Sequence, residues 1–144
     1  MIIREAKKED LPYILALLEG ADLPREGVSD HLDRFLVAES GKAIAGAIGL
    51  EATSPDGLLR SLVVDEAHRK RGVAAGLCDD LIRRAETLGL RDLYLLTLDA
   101  AAYFERHGFR PIEREVAPTS IRRTDEFSRL CPASATLMKR VLGK

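Results

Sequence analysis

Residues Leu58 to Ala75 read LLRSLVVDEAHRKRGVAA. Leu58 to Val64 is a nearly continuous apolar run, the pattern of a central strand buried on both faces. It leads into a basic turn, Arg69-Lys70-Arg71, and then into a helix that opens with Gly72, Val73, Ala74 and Ala75. The first N–H groups of a helix lack intrahelical acceptors, and the helix dipole places partial positive charge there. Gly72, Ala74 and Ala75 carry little or no side chain, so a phosphate can reach the backbone, and the three cations stand beside it. Such a corner is a pyrophosphate cradle. It lacks the G-K-[ST] of a P-loop and the spacing of G-x-G-x-x-G. The alternative is a solvated basic turn ahead of a closely packed helix.

Around this corner the pattern predicts alternating elements. From Gly72 onward, Leu77, Leu81, Ala85 and Leu88 line one helix face, and the pairs Asp79/Arg83 and Asp80/Arg84 sit four apart on another. Gly89 stops that helix. Upstream come an edge strand Met1 to Glu5, a helix Glu9 to Leu18 with Pro12 in its first turn, and a short helix Val28 to Asp33. A hairpin follows, from Phe35 to Glu39 through Ser40-Gly41-Lys42 and back along Ala43 to Ala52. Ala45, Gly46, Ala47 and Gly49 on the returning strand imply close packing over it. Downstream are a strand Asp92 to Thr97, a helix capped by Asp99 and running to His107, and a strand Phe109 to Arg114. A polar stretch with a helix from Pro118 and a last strand Ala135 to Val141 complete the chain. This order implies an α+β fold, a mixed and mostly antiparallel sheet of about seven strands flanked by about four helices.

The 144 residues, 46% hydrophobic and 31% charged, suit one domain spanning 1–144. Lys plus Arg number 22 against 23 Asp plus Glu, so the basic excess that a general nucleic-acid or anionic-membrane binder needs is absent. There is no run of the ~20 apolar residues that cross a bilayer, and MIIREAKKED has no apolar signal core, so a cytoplasmic protein is expected. Cys78 and Cys131 form neither a CxxC nor a disulfide framework. His31, His68 and His107 are widely spaced, and no metal site is expected.

RKRGVA, Arg69 to Ala74, resembles the R/Q-x-x-G-x-G/A motif of the GCN5-related N-acetyltransferases, the GNAT superfamily. The preceding SLVVDEAH is similar to that family's strand lead-in, and FERHGF, Phe104 to Phe109, is similar to its helix end before a G-F pair. The resemblance covers essentially the whole chain. It implies acetyl-CoA as cosubstrate and N-acetylation by direct attack of an amine on the thioester. It also implies that the fourth and fifth strands, Leu58 to Val64 and Asp92 to Thr97, splay apart around the pantetheine arm. Leu62, Val63 and Val64 would then offer backbone groups to the pantetheine and the acetyl carbonyl, and a backbone N–H could stabilise the oxyanion. Arg69, Lys70, Arg71, Gly72, Val73, Ala74 and Ala75 would hold the pyrophosphate.

Phe104 stands on the cofactor side, where many members carry a Tyr that protonates the thiolate; Tyr103 is about 100° around the helix and faces elsewhere. The thiolate would leave through water or with help from Thr97 or Ser61. Glu51, at the end of the third strand, is a candidate base, its alternative being a solvated strand-end carboxylate; His31 and His107 rank behind it. His68 reads as surface, Cys78 as packing, and Cys131 as either a reactive thiol or a packed one.

Downstream of Thr97 the chain is similar to the catalytic domain of bacterial N-acetylglutamate synthases, which puts Ser61, Thr97 and Ser134 on the acceptor side. LCPASA, GLLRSLVV and HLDRFLVAE resemble small GNAT proteins associated with arsenic resistance. Arg60, Arg122 and Arg123 would supply an anion-binding acceptor pocket, their alternative being surface charge pairing. The implied partner is a small amino-acid-like amine, with a homodimer through the last strands compatible. Protein N-terminal or lysine acetylation and a non-catalytic acyl-CoA sensor are the competing readings.

Overall fold

Gly41, at φ +61, turns the chain between β2 (Phe35–Ser40) and β3 (Ala43–Ala52), as the Ser40-Gly41-Lys42 signal predicts. The structure, a computed structural model, describes residues 1–142. The other strands are β1 (Ile2–Glu5), β4 (Gly57–Val64), β5 (Asp92–Thr97), β6 (Arg110–Ile112) and β7 (Thr136–Val141). The helices are α1 (Leu11–Gly20), α2 (Val73–Thr87), α3 (Ala101–Glu105) and α4 (Thr119–Arg122). Backbone pairing orders a 7-stranded sheet as β1-β2-β3-β4-β5-β7-β6. The pairs β1/β2, β2/β3, β5/β7 and β6/β7 are antiparallel and β4/β5 is parallel, so the expected mixed, mostly antiparallel sheet forms. The parallel ladder joins Gly57 to Leu93 and Leu58 to Tyr94. Among the described residues, no helix is long and apolar enough to cross a membrane.

Two compact units are present: Met1–Glu51 with Arg60–Arg83, and Ala52–Leu59 with the chain from Arg84 onward. The first has a core of Ile14, Leu18, Val28, Phe35, Val37, Ala47 and Val63. Its small residues make room for neighbours. A Cβ at Gly46 would meet the Val63 carbonyl at 2.9 Å and Leu77 of α2 at 3.2 Å, and a Cβ at Gly49 would collide with the Phe35 ring. Arg4 binds Asp10 at 2.8 Å and Glu39 at 2.9 Å, tying β1 to β2 and to the start of α1. The Arg4 hydrogen bond holds the Asp10 carboxyl below its ordinary value of 3.8. The second unit has a core of Leu58, Tyr94, Ala117, Ile121 and Leu137. Burial pushes the Tyr94 hydroxyl up to about 12.

Two predicted helices change. Val28 to Asp33 forms turns and one short 3-10 turn, Leu32–Arg34. Gly27, at φ +83, starts that loop, and its carbonyl accepts the His31 N–H at 3.1 Å. The helix expected from Asp99 to His107 is α3, and Thr97 rather than Asp99 supports its start, the Thr97 Oγ1 accepting from the Ala100 N–H at 3.0 Å. It ends at Glu105, where Gly108 at φ +87 reverses the chain.

Candidate functional site

Three features of the first unit build a site along β4 and the start of α2. The first is the corner between them. The Asp65 N–H bonds the Ala45 carbonyl at 2.7 Å, pinning the end of β4 to β3. A 3-10 turn, Glu66–His68, follows, and His68, read from the sequence as surface, is instead half-buried and bonded to Asp65 Oδ2 at 3.0 Å. Lys70 and Gly72 are both left-handed, at φ +67 and +80. Alternation of left-handed and ordinary residues turns successive N–H groups to one side, the geometry of an anion nest. The first bond of α2 runs from the Gly76 N–H to the Gly72 carbonyl at 3.0 Å, so the amides of Val73, Ala74 and Ala75 lie ahead of it. A Cβ placed on Gly72 would meet nothing within 4 Å. Arg69, Lys70 and Arg71 are exposed around this opening, Arg69 folding back so that Nε bonds the Val64 carbonyl at 3.2 Å.

The second feature is a kink inside β4. Ser61 has φ +62, a conformation that costs a non-glycine residue about 1–2 kcal/mol and persists where surrounding contacts hold it. Beyond it Val63 enters the core while Leu62 and Val64 stay half-buried.

The third is a charged group beneath the kink. Arg60 is buried, its side chain 1% exposed. Its NH1 donates to Glu51 Oε2 at 2.7 Å, its NH2 to the Glu26 carbonyl at 2.7 Å and its Nε to Ser61 Oγ at 2.9 Å. Arg60 therefore joins three parts of the fold, and the expected acceptor-anion site finds its guanidinium already engaged. Glu51 is buried as well, and its other oxygen, Oε1, lies 3.7 Å from His31 Nε2. The structure thus brings together Glu51, Arg60 and Ser61. It adds His31, which the sequence reading ranked low, and the Glu26 carbonyl, which that reading did not consider. A signal for the pairing was available: an arginine inside an apolar strand run demands a buried partner.

The remaining predicted residues belong to the second unit. Thr97 ends β5 and supports α3 as described. Phe104 is 6% exposed and packs edge-on against Phe109 at 5.8 Å and Tyr103 at 5.4 Å. The Tyr103 ring also lies 4.8 Å from that of His107, so it packs as the helix angle predicted. Arg122 donates to the carbonyls of Ala117 at 2.9 Å, Arg114 at 3.3 Å and Glu115 at 2.5 Å, which makes it a loop brace. Arg123 and Ser134 are exposed. In the first unit, Cys78 of α2 is fully buried, as packing requires; in the second, Cys131 Sγ lies 3.3 Å from Glu126 Oε1. Among the described residues, no group of three or more His, Cys, Asp or Glu could hold a metal ion.

Residues 31–111 match the model of the acetyltransferase (GNAT) domain. The chain is 32% identical to protein YwlB of Bacillus subtilis, over 98% of this chain and 97% of that protein. It is 29% identical to the amino-acid acetyltransferase of Pseudomonas putida over 83% of this chain, but spans only 30% of that protein's length. Its fold is similar to that of N-acetylglutamate synthase from Neisseria gonorrhoeae, crystallised with coenzyme A and N-acetyl-glutamate, with a TM-score of 0.84 at 23% identity over 99% of this chain and 35% of that one.

Proposed function

We propose that this chain, which belongs to the GNAT acetyltransferase family, moves an acetyl group from acetyl-CoA to the amine of a small amino-acid-like acceptor. Residues 1–144 serve as one transferase domain. The observation that carries the reading is the open corner at Lys70 to Ala75, where left-handed Lys70 and Gly72 set unpaired amides beside three cations. The diphosphate of the cosubstrate binds there, through Arg69, Lys70, Arg71, Gly72, Val73, Ala74 and Ala75. The pantetheine follows Leu62, Val63 and Val64, and an N–H of this run stabilises the oxyanion as the amine attacks. Phe104, packed against Phe109 and Tyr103, has no hydroxyl and supplies no proton. The leaving thiolate takes its proton from water or from Ser61 or Thr97.

The likeness to amino-acid acetyltransferases supports this acceptor class. Arg123 and Ser134 are exposed groups suited to an acceptor carboxylate, while the guanidinium groups of Arg60 and Arg122 are engaged by internal bonds. The likeness of LCPASA and GLLRSLVV to arsenic-resistance-associated members adds metalloid- and phosphorus-bearing amino acids to the acceptors worth testing. The experiment incubates the chain with acetyl-CoA and L-glutamate, L-glutamine, L-aspartate, a phosphinic glutamate analogue and an arsenic-bearing amino acid, reading free thiol and product mass. At least one is acetylated on its α-amine. Thiol release only with peptides or lysate proteins would replace this acceptor class with a protein substrate.

A further inference from the structure

The contacts from Ser61 through Arg60 and Glu51 end at His31, the one member of the chain with a solvent-facing ring: its side chain is 39% exposed, against 8% for Glu51 and 1% for Arg60. His31 sits in the loop between α1 and β2, its N–H shared by the carbonyls of Gly27 at 3.1 Å and Val28 at 3.2 Å. Val28 is fully buried in the first unit's core, and Gly27 lies against Arg60, where an added Cβ would stand 3.0 Å from NH1. With Arg60 also donating to the Glu26 carbonyl, the segment carrying His31 is anchored on both sides of Gly27. A ring on a fixed loop, backed by a buried carboxylate that is itself fixed by a buried guanidinium, is the arrangement of an oriented proton acceptor.

We propose that His31 takes the proton from the acceptor's ammonium, and that Glu51, held by Arg60, is the positioning residue behind it. This rests on the transferase reading above. Nε2 lies 3.7 Å from Glu51 Oε1, so the ring turns this nitrogen toward the carboxylate and leaves Nδ1 for the acceptor's proton. The acceptor arrives as R–NH3+. His31 Nδ1 removes one proton and becomes an imidazolium facing the Glu51 carboxylate. The neutral amine forms the N–C bond to the thioester carbonyl, the tetrahedral intermediate expels the thiolate, which takes a proton from water or a hydroxyl as above, and the nitrogen's second proton replaces the one that donor gave up. The imidazolium returns its proton to solvent. The products are the amide, CoA thiol and one proton, which balances the reaction. Glu51 from β3 faces the ring, with Arg60 from β4 behind it, and Asp30 and Asp33 are its charged neighbours in sequence.

The test uses the full chain with acetyl-CoA and the amino acid of the five above that it acetylates fastest. His31→Gln lowers kcat/KM by ~100- to 1,000-fold, the usual range for a lost general base, while calorimetry finds its acetyl-CoA affinity within twofold of the parent. The acid limb of the kcat/KM–pH profile disappears, and added imidazole restores activity to His31→Ala. Glu51→Gln lowers kcat with KM little changed. Should His31→Gln keep the parent's rate and acid limb, the assignment is wrong while the transferase reading stands. If the parent itself acetylates none of the five amines, the transferase reading fails and takes this assignment with it.

Discussion

Gly72→Asp raises the dissociation constant for acetyl-CoA at least ~100-fold, enough to put the complex out of reach at ordinary cosubstrate concentrations. Two effects add. The left-handed φ of +80 costs any L side chain about 1–2 kcal/mol, and that loss falls on folding of the corner. The larger effect is electrostatic. The space in front of Gly72 holds no atom within 4 Å of a Cβ, so the new carboxylate has room to stand in the corner proposed for the diphosphate and to repel it. Gly72→Ala separates the two, since it carries the backbone cost without the charge. It lowers stability by about 1 kcal/mol and weakens acetyl-CoA by less than ~10-fold. Calorimetric titration of both variants checks the pair, and equal affinities for Gly72→Asp and the parent would remove the cradle from the account.

Arg60→Ala destabilises the fold by about 3–5 kcal/mol, the penalty for leaving a buried carboxylate without its cation. Glu51 would lose its 2.7 Å partner, the Glu26 carbonyl would lose a donor, and the loop carrying His31 would lose one anchor. Arg60→Lys does not rescue it, because one ammonium cannot reach Glu51, Glu26 and Ser61 in the fork geometry of a guanidinium. The double variant Arg60→Met/Glu51→Leu recovers most of the lost stability, because two apolar side chains bury without an unpaired charge. It does not recover transferase activity. Urea unfolding of the two singles and the double gives the coupling directly. A double variant as unstable as Arg60→Ala alone would mean that the pair matters through packing and not through charge.

The corner at Arg69 to Ala75 was legible because its information is local: an apolar strand run, adjacent cations, then small residues at a helix start. The sheet was legible for the same reason, each strand announcing itself by apolar runs and turn residues. The Arg60 network was not, since it assembles from Glu26, His31, Glu51 and Ser61 on separate elements. Only the demand of a buried charge for a partner hints at it, and that demand does not say which carboxylate answers. The internal bonds of Arg122 were hidden for a related reason. Its three carbonyl bonds depend on how the loop from Arg114 to Ala117 curls back, which no spacing encodes. Asp99 had the residue type of a helix cap, but it is the Thr97 hydroxyl, at the strand end, that accepts from the Ala100 N–H.

Acetyl-pantetheine has the thioester and the pantetheine amides of acetyl-CoA but neither its diphosphate nor its 3'-phosphoadenosine, so comparing the two by calorimetry measures what the nucleotide end, the corner's ligand, contributes. Acetyl-CoA binds at one site, and acetyl-pantetheine binds at least ~100-fold more weakly, a difference of about 2.7 kcal/mol. Equal affinity for the two would show that the amides at the start of α2 hold no diphosphate.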